Sequence, residues 1–240
     1  MQDNPKEPHQ ELLNLKVYER ADFSTYVEGE NSAVVESLKK ASFSHEKEFF
    51  YVSGPHGSGK SHLMGALRNN LKKPDRECFL LDLEFALKAN AQPEILNLEL
   101  PAVTILDNVD VIAGDQLWEL AVFDLFNRWY DQHPGTLIVT ASCSFNMIGY
   151  ERGDLHTRLG SGVIYSIEPL DDDSCVQALM HKAKARGFSL QEAAARYLVN
   201  HFQRDMHSLV RMLDKLDVVS YEERHRITVP FIKKVLEPKD

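Results

Sequence analysis

The sequence predicts an α/β protein: a doubly wound, five-stranded parallel sheet, followed by a small all-helical unit. Three observations carry that prediction. Five short, nearly continuous apolar runs alternate with helical patterns between residues 23 and 168, which is how strands covered on both faces read. A glycine-rich stretch directly follows the first run and opens a helix. After Pro169 and the cluster Asp171, Asp172 and Asp173 the strand pattern stops, and all later periodicity is helical.

Residues 1–12 are polar, contain Pro5 and Pro8, and lack a periodic apolar face, so the stretch 1–22 reads as a flexible tail. Within it Gln10, Leu13 and Leu15 have the spacing of a short extended peptide that lays two leucines in a groove behind a polar anchor. The same leucines would equally pack on the domain. A helix capped at Asn31 or Ser32 follows, with Ala33, Val34, Leu38 and Ala41 on one side. The predicted strands are 48–53, 78–82, 102–108, 136–141 and 163–167. Helices are predicted over 60–72, 84–89 and 115–132, the last with Leu117, Leu120, Ala121, Phe123, Leu125, Phe126 and Trp129 on its apolar side. The second unit, 169–240, should hold helices over 171–186, 189–202, 205–221 and 230–236, with Gly187 as a stop and Pro230 in a first turn. Its three aspartates sit where a helix N-terminus favours negative charge.

The stretch Gly54, Pro55, His56, Gly57, Ser58, Gly59, Lys60 and Ser61 meets every fixed position of a phosphate-binding loop. Glycines there let backbone N–H groups approach a phosphate, Lys60 pairs its charge, and Ser61 suits Mg²⁺. Asp107, ending an apolar strand, is the candidate second Mg²⁺ group, although strands also end in Asp to form a turn. Nucleotide binding is therefore the first expectation.

Hydrophobic content of 43% and charged content of 26% describe an ordinary globular chain. A net charge of −9 argues against an autonomous duplex-DNA binder, while leaving room for a local basic patch. Cys78, Cys143 and Cys175 stand far apart and read as reduced thiols. With no long apolar run and no leader-like start, the expected location is the cytoplasm.

A phosphate loop in an α/β domain with a small helical lid resembles the AAA+ ATPases. The phrases over Phe23–Ser32, Ile112–Arg128, Ile167–Leu170 and Ile227–Ile232 resemble the AAA+ domain of the DnaA family, and most of all its shorter Hda branch. The resemblance spans Phe23 to Leu236. It implies a core over 23–168 and a lid over 169–240. DnaA proteins continue into a helix-turn-helix domain, whereas this sequence ends at Asp240, so an initiator of that kind is not expected. Hda proteins carry an N-terminal peptide for the DNA polymerase III sliding clamp, and Gln10, Leu13 and Leu15 match its form. Glu11 and Asn14 depart from it.

The resemblance also assigns roles. Ser142 corresponds to the first sensor, a polar residue near the terminal phosphate, and Arg158 to the arginine finger that acts on a neighbour's nucleotide. Alone, Arg158 would read as a surface arginine. Val27 falls in the adenine pocket and His207 at the second sensor, where relatives have an arginine that Arg204 could replace. Asn108 stands where hydrolytic relatives have an acid, and an amide cannot take a proton from water. The implied activity is regulatory. The chain, holding ADP or ATP with Mg²⁺, docks on the clamp and stimulates ATP hydrolysis by DnaA, so repressing re-initiation of replication. Its own ATPase is expected to be weak, and a homodimer or nucleotide-dependent assembly is compatible with the family. The alternatives are an autonomous P-loop ATPase and a loader that binds single-stranded DNA, which would need a basic aromatic groove.

Overall fold

The computed structural model describes residues 21–71, 76–132, 135–202 and 205–237. Five strands, β1 (Glu48–Ser53), β2 (Cys78–Asp82), β3 (Val103–Asp107), β4 (Thr136–Ala141) and β5 (Val163–Ser166), form one sheet in the order β2-β3-β4-β1-β5. All pairings are parallel. Every strand therefore ends on the same edge, and the register sets Asp82 opposite Asp107 and Ser53 between Ala141 and Ser166. That edge is where open α/β sheets bind ligands.

Side-chain alternation within β1 divides the core. Phe50 and Val52 face α1 (Ser32–Ala41) and α2 (Lys60–Asn70). Phe49 and Tyr51 face the other side, covered by α3 (Leu83–Lys88), α4 (Gln116–Gln132) and α5 (Gly153–Leu159). On α4, Trp118, Val122, Leu125, Phe126 and Trp129 are buried, whereas Leu117 is 69% and Leu120 40% exposed. The helix is thus rotated from its predicted phase, because Trp118 and Val122 fill the space above the sheet. At roughly 1.5–3 kcal/mol per buried large apolar side chain, those five residues contribute about 8–15 kcal/mol before conformational entropy is charged. Helix α5 buries only Leu155 and Leu159, and the sequence reading did not anticipate it.

Two predicted ends also differ. β3 stops at Asp107 because Asn108 takes the left-handed conformation, φ 62°. Asn31 precedes α1, but its side chain does not cap it. Its amide instead donates to the carbonyl of Glu168 at 3.0 Å and accepts from the Glu168 N–H at 2.8 Å, fastening α1 to the segment that leaves the sheet.

Four helices follow: α6 (Asp172–Ala185), α7 (Glu192–His201), α8 (Met206–Glu223) and α9 (Val229–Leu236). They enclose their own core, including Leu179, Leu198, Leu209, Leu213, Leu216 and Ile232. Asp171 caps α6 by accepting from Ser174 N at 2.7 Å, and Asp173 pairs with Arg196, which gives both a structural role.

Candidate nucleotide site

The phosphate loop leaves the end of β1 and is shaped by glycine where no other residue fits. A Cβ on Gly54 would stand 2.7 Å from the Ile167 carbonyl oxygen. Gly57 and Gly59 take φ of 77° and 98°, the left-handed region. Gly59 is the residue before α2 and gives it no side-chain cap, so the first-turn N–H groups of that helix remain available to an anion. Pro55 and His56 are exposed, while Ser61 and Val27 are half-buried.

Lys60 is 5% exposed and donates to the carbonyls of Gly54, at 2.6 Å, and Pro55, at 3.0 Å. Burial lowers its pKa, and the carboxylates of Asp107 and Asp110 oppose that shift. The Ser58 hydroxyl is buried without a partner. A cradle with two left-handed glycines, an uncapped helix start, a buried lysine and an orphaned hydroxyl fits a nucleotide phosphate. Ser61 and Asp107 together offer the hard oxygens Mg²⁺ takes, and Mg²⁺ on phosphates needs only one or two protein groups.

β4 lies between β1 and β3, which brings its Thr140 and the following Ser142 between loop and carboxylate. Asp107 is fully buried and accepts from Thr140 Oγ1, which in turn accepts from Asn108 N at 3.0 Å. The Asn108 side-chain amide donates to Asp82 Oδ1 at 3.0 Å. It is engaged sideways, toward β2. Ser142 is held by Asp110, which takes both its hydroxyl and its backbone N–H.

Arg158 stands on α5, half-buried. Its guanidinium lies 5.9, 5.7 and 5.5 Å from the ring centres of Phe123, Phe126 and Tyr130, all on α4. Such stacking holds an arginine without neutralising it. Among the described residues it forms no salt bridge. Beside it Arg152 stacks on Phe123 at 4.8 Å and pairs with Asp154. Glu119, fully buried, accepts from the backbone N–H groups of Gly114, Glu151 and Arg152 at 2.8, 3.1 and 2.9 Å. One carboxylate thereby fixes the turn that launches α5.

The lid meets the loop at the start of α8. Asp205 caps that helix at Ser208 N, 2.8 Å, and a Cβ on Gly57 would stand 3.2 Å from both Asp205 Cβ and Met206 N. His207, the candidate second sensor, is exposed in this first turn. Arg204, Gln10, Leu13 and Leu15 lie outside the described residues.

Sequence reasoning missed Thr140, Asp110, Asp82, Glu119 and Tyr26. Tyr26 lays its ring on Gly59, 3.2 Å from where a Cβ would be, and buries an unpartnered hydroxyl whose pKa is pushed up to about 12 by burial. Only Asp110 carried a legible signal, as the second carboxylate of Asp107-Asn108-Val109-Asp110.

Sheet order, loop and lid together define an AAA+ module. The solved structures agree. Domain III of the replication initiation protein DnaA from Thermotoga maritima superposes with a TM-score of 0.77 at 16% identity, covering 90% of this chain and 95% of that one. AMPPCP-bound DnaA from Aquifex aeolicus gives 0.68 at 20% identity, covering 85% and 67%. The Holliday junction branch migration motor RuvB of T. maritima gives 0.68 at 14%, covering 92% and 73%. The family model of the Hda lid domain matches residues 171–236. Residues 171–236 thus match the Hda lid domain, in a chain that has the fold of DnaA domain III.

Proposed function

We propose that this protein is a nucleotide-holding regulator of replication initiation which, with the DNA-loaded sliding clamp, stimulates ATP hydrolysis by DnaA through Arg158 in trans. The observation that carries this reading is the setting of Arg158. It is stacked on α4, on the face of the sheet opposite the phosphate-loop helix α2, with no carboxylate neutralising it among the described residues. A guanidinium so placed suits a neighbour's phosphates, where a finger contributes on the order of 10³–10⁵ in rate in GTPase examples. The clamp would be engaged by Gln10, Leu13 and Leu15.

The chain's own site serves as a hold. Lys60, the first-turn N–H groups of α2 and the glycines bind the phosphates, Ser61 and Asp107 hold Mg²⁺, and Ser142 orients on the terminal phosphate. The bound metal supplies charge neutralisation. A DnaA chain of the same fold binds AMPPCP, which supports nucleotide binding. ADP, or ATP, is the proposed occupant, and turnover is expected to be weak because Asn108 donates to Asp82 and cannot serve as a base. We place the hinge between sheet domain (23–168) and lid (169–240) at Pro169, and the protein in the cytoplasm. Among the described residues no helix is long and apolar enough to cross a membrane.

The test is ATP hydrolysis by DnaA with and without this protein and DNA-loaded clamp. Stimulation in the three-component mixture that Arg158→Ala abolishes while clamp binding survives is the expected result. Undiminished stimulation by that variant sinks the assignment, and multiple turnovers by this protein alone would favour the autonomous ATPase.

A further inference from the structure

Among the described residues, the lid meets the sheet domain where the start of α8 approaches Gly57 and at a hydrogen-bond relay on α2. In the relay, Lys182 Nζ of α6 lies 3.0 Å from His62 Nδ1, and His62 Nε2 lies 3.3 Å from the Asp22 carbonyl oxygen and 3.4 Å from Thr25 Oγ1. A protonated lysine can only donate, so His62 Nδ1 is the acceptor. The imidazole is therefore neutral and carries its proton on Nε2, aimed at the Asp22 carbonyl and Thr25. Thr25 Oγ1 donates in turn to the same Asp22 carbonyl at 2.9 Å. Every link has one donor and one acceptor. His62 directly follows Ser61 in the first turn of α2, so the relay joins the lid to the helix that ends the phosphate loop.

We propose that Lys182 is a positioning residue of the nucleotide site: by donating to neutral His62 it latches lid helix α6 to α2 and so sets how long a bound nucleotide is retained. The inference rests on the nucleotide-holding reading above. It assigns to a lid lysine, away from both sensor positions, control of the release rate.

The charged surroundings of Lys182 give the latch a measurable signature. Burial, and next the charge of Arg186 at the C-terminal cap of the same helix, lower its pKa from 10.5 to about 8, against the pull of Asp214 on α8. Asp214 itself pairs with Arg186 at 2.6 Å. Across the joint stand His62 and the Asp22 carboxylate, whose Oδ1 accepts from Ser24 N. With the latch open, the lysine regains the higher pKa and binds more protons, so latching releases a proton. The latch must then strengthen as pH rises between about 8 and 10.5 and stay level below that window. Between pH 7.5 and 9.5 the linkage amounts to about twentyfold at most.

The experiment follows release of N-methylanthraniloyl-ADP from the full chain after mixing with excess ADP. Lys182→Met should release it at least tenfold faster at pH 7.5. Lys182→Arg, which still donates but does not titrate, should release it near the wild-type rate and lack the alkaline slowing that the wild type shows. Wild-type release by Lys182→Met would overturn the proposal, as would an identical alkaline slope in Lys182→Arg. That arginine variant decides the matter if the methionine variant does not fold. Nitrogen NMR of ligand-free protein supplies an independent readout: His62 should show the Nε2–H tautomer, and Lys182→Met should mix the tautomers. A wild-type protein that does not bind the labelled ADP overturns the nucleotide reading, while the His62 tautomer still tests the joint.

Discussion

Replacing Glu119 by Gln removes one charge and changes almost no volume, yet it should destabilise the protein and, under the proposed function, slow ATP hydrolysis by DnaA. The carboxylate is fully buried and accepts three backbone N–H bonds. In the variant the amide oxygen can keep Gly114 and Glu151, but its NH₂ then faces the Arg152 N–H, donor against donor. An orphaned buried N–H costs about 1–3 kcal/mol, and bonds to a neutral acceptor are worth roughly half those to a charged one. Together these give about 2–5 kcal/mol. The loss falls on the turn that starts α5, and that helix has only Leu155 and Leu159 in the core to hold it. Arg158 should therefore wander from its aromatic seat, and the stimulation of DnaA proposed above should fall at least tenfold. Urea unfolding and the three-component ATPase assay read the two effects. A variant within about 0.5 kcal/mol of wild type would refute the claim that this carboxylate organises the turn that starts α5.

Two further substitutions probe the carboxylate edge. Asn108→Asp restores the residue type of hydrolytic relatives, but the new carboxylate would lie beside Asp82, where the amide now donates at 3.0 Å. Like charges so close should cost about 1–3 kcal/mol in urea unfolding at pH 7 without giving sustained turnover of ATP; robust turnover would show that the amide alone blocks hydrolysis. Thr140→Val keeps the shape of a fully buried side chain while taking a donor from Asp107 and an acceptor from Asn108 N. It should lower stability by about 2–4 kcal/mol, and a thermal midpoint unchanged from wild type would contradict that bonding.

The elements legible in the sequence are those whose signal is local. β1, β2 and β4 match their predicted bounds because each is a short, largely apolar run that can be read from consecutive residues. Helix α5 was invisible: seven residues, two of them buried, leave no periodicity to detect. The phase of α4 misled for another reason, since Leu117 and Trp118 are both apolar and only the sheet beneath chooses between them. In the candidate site, the loop stands in eight consecutive residues, while the partners of its flanking groups, Asp110 aside, were hidden.

The sequence by itself determined the chemistry of the phosphate loop. Glycine, lysine and serine at that spacing act through backbone and side chains within eight consecutive residues. Only the tertiary structure decided what each flanking group does. Asp82 reaches Asn108 across 26 positions, Asp110 reaches Ser142 across 32, and Lys182 reaches His62 across 120. A hydrogen bond needs its two atoms about 3 Å apart whatever their separation along the chain. No local pattern can encode that distance; the parallel register and the docking of the lid create it.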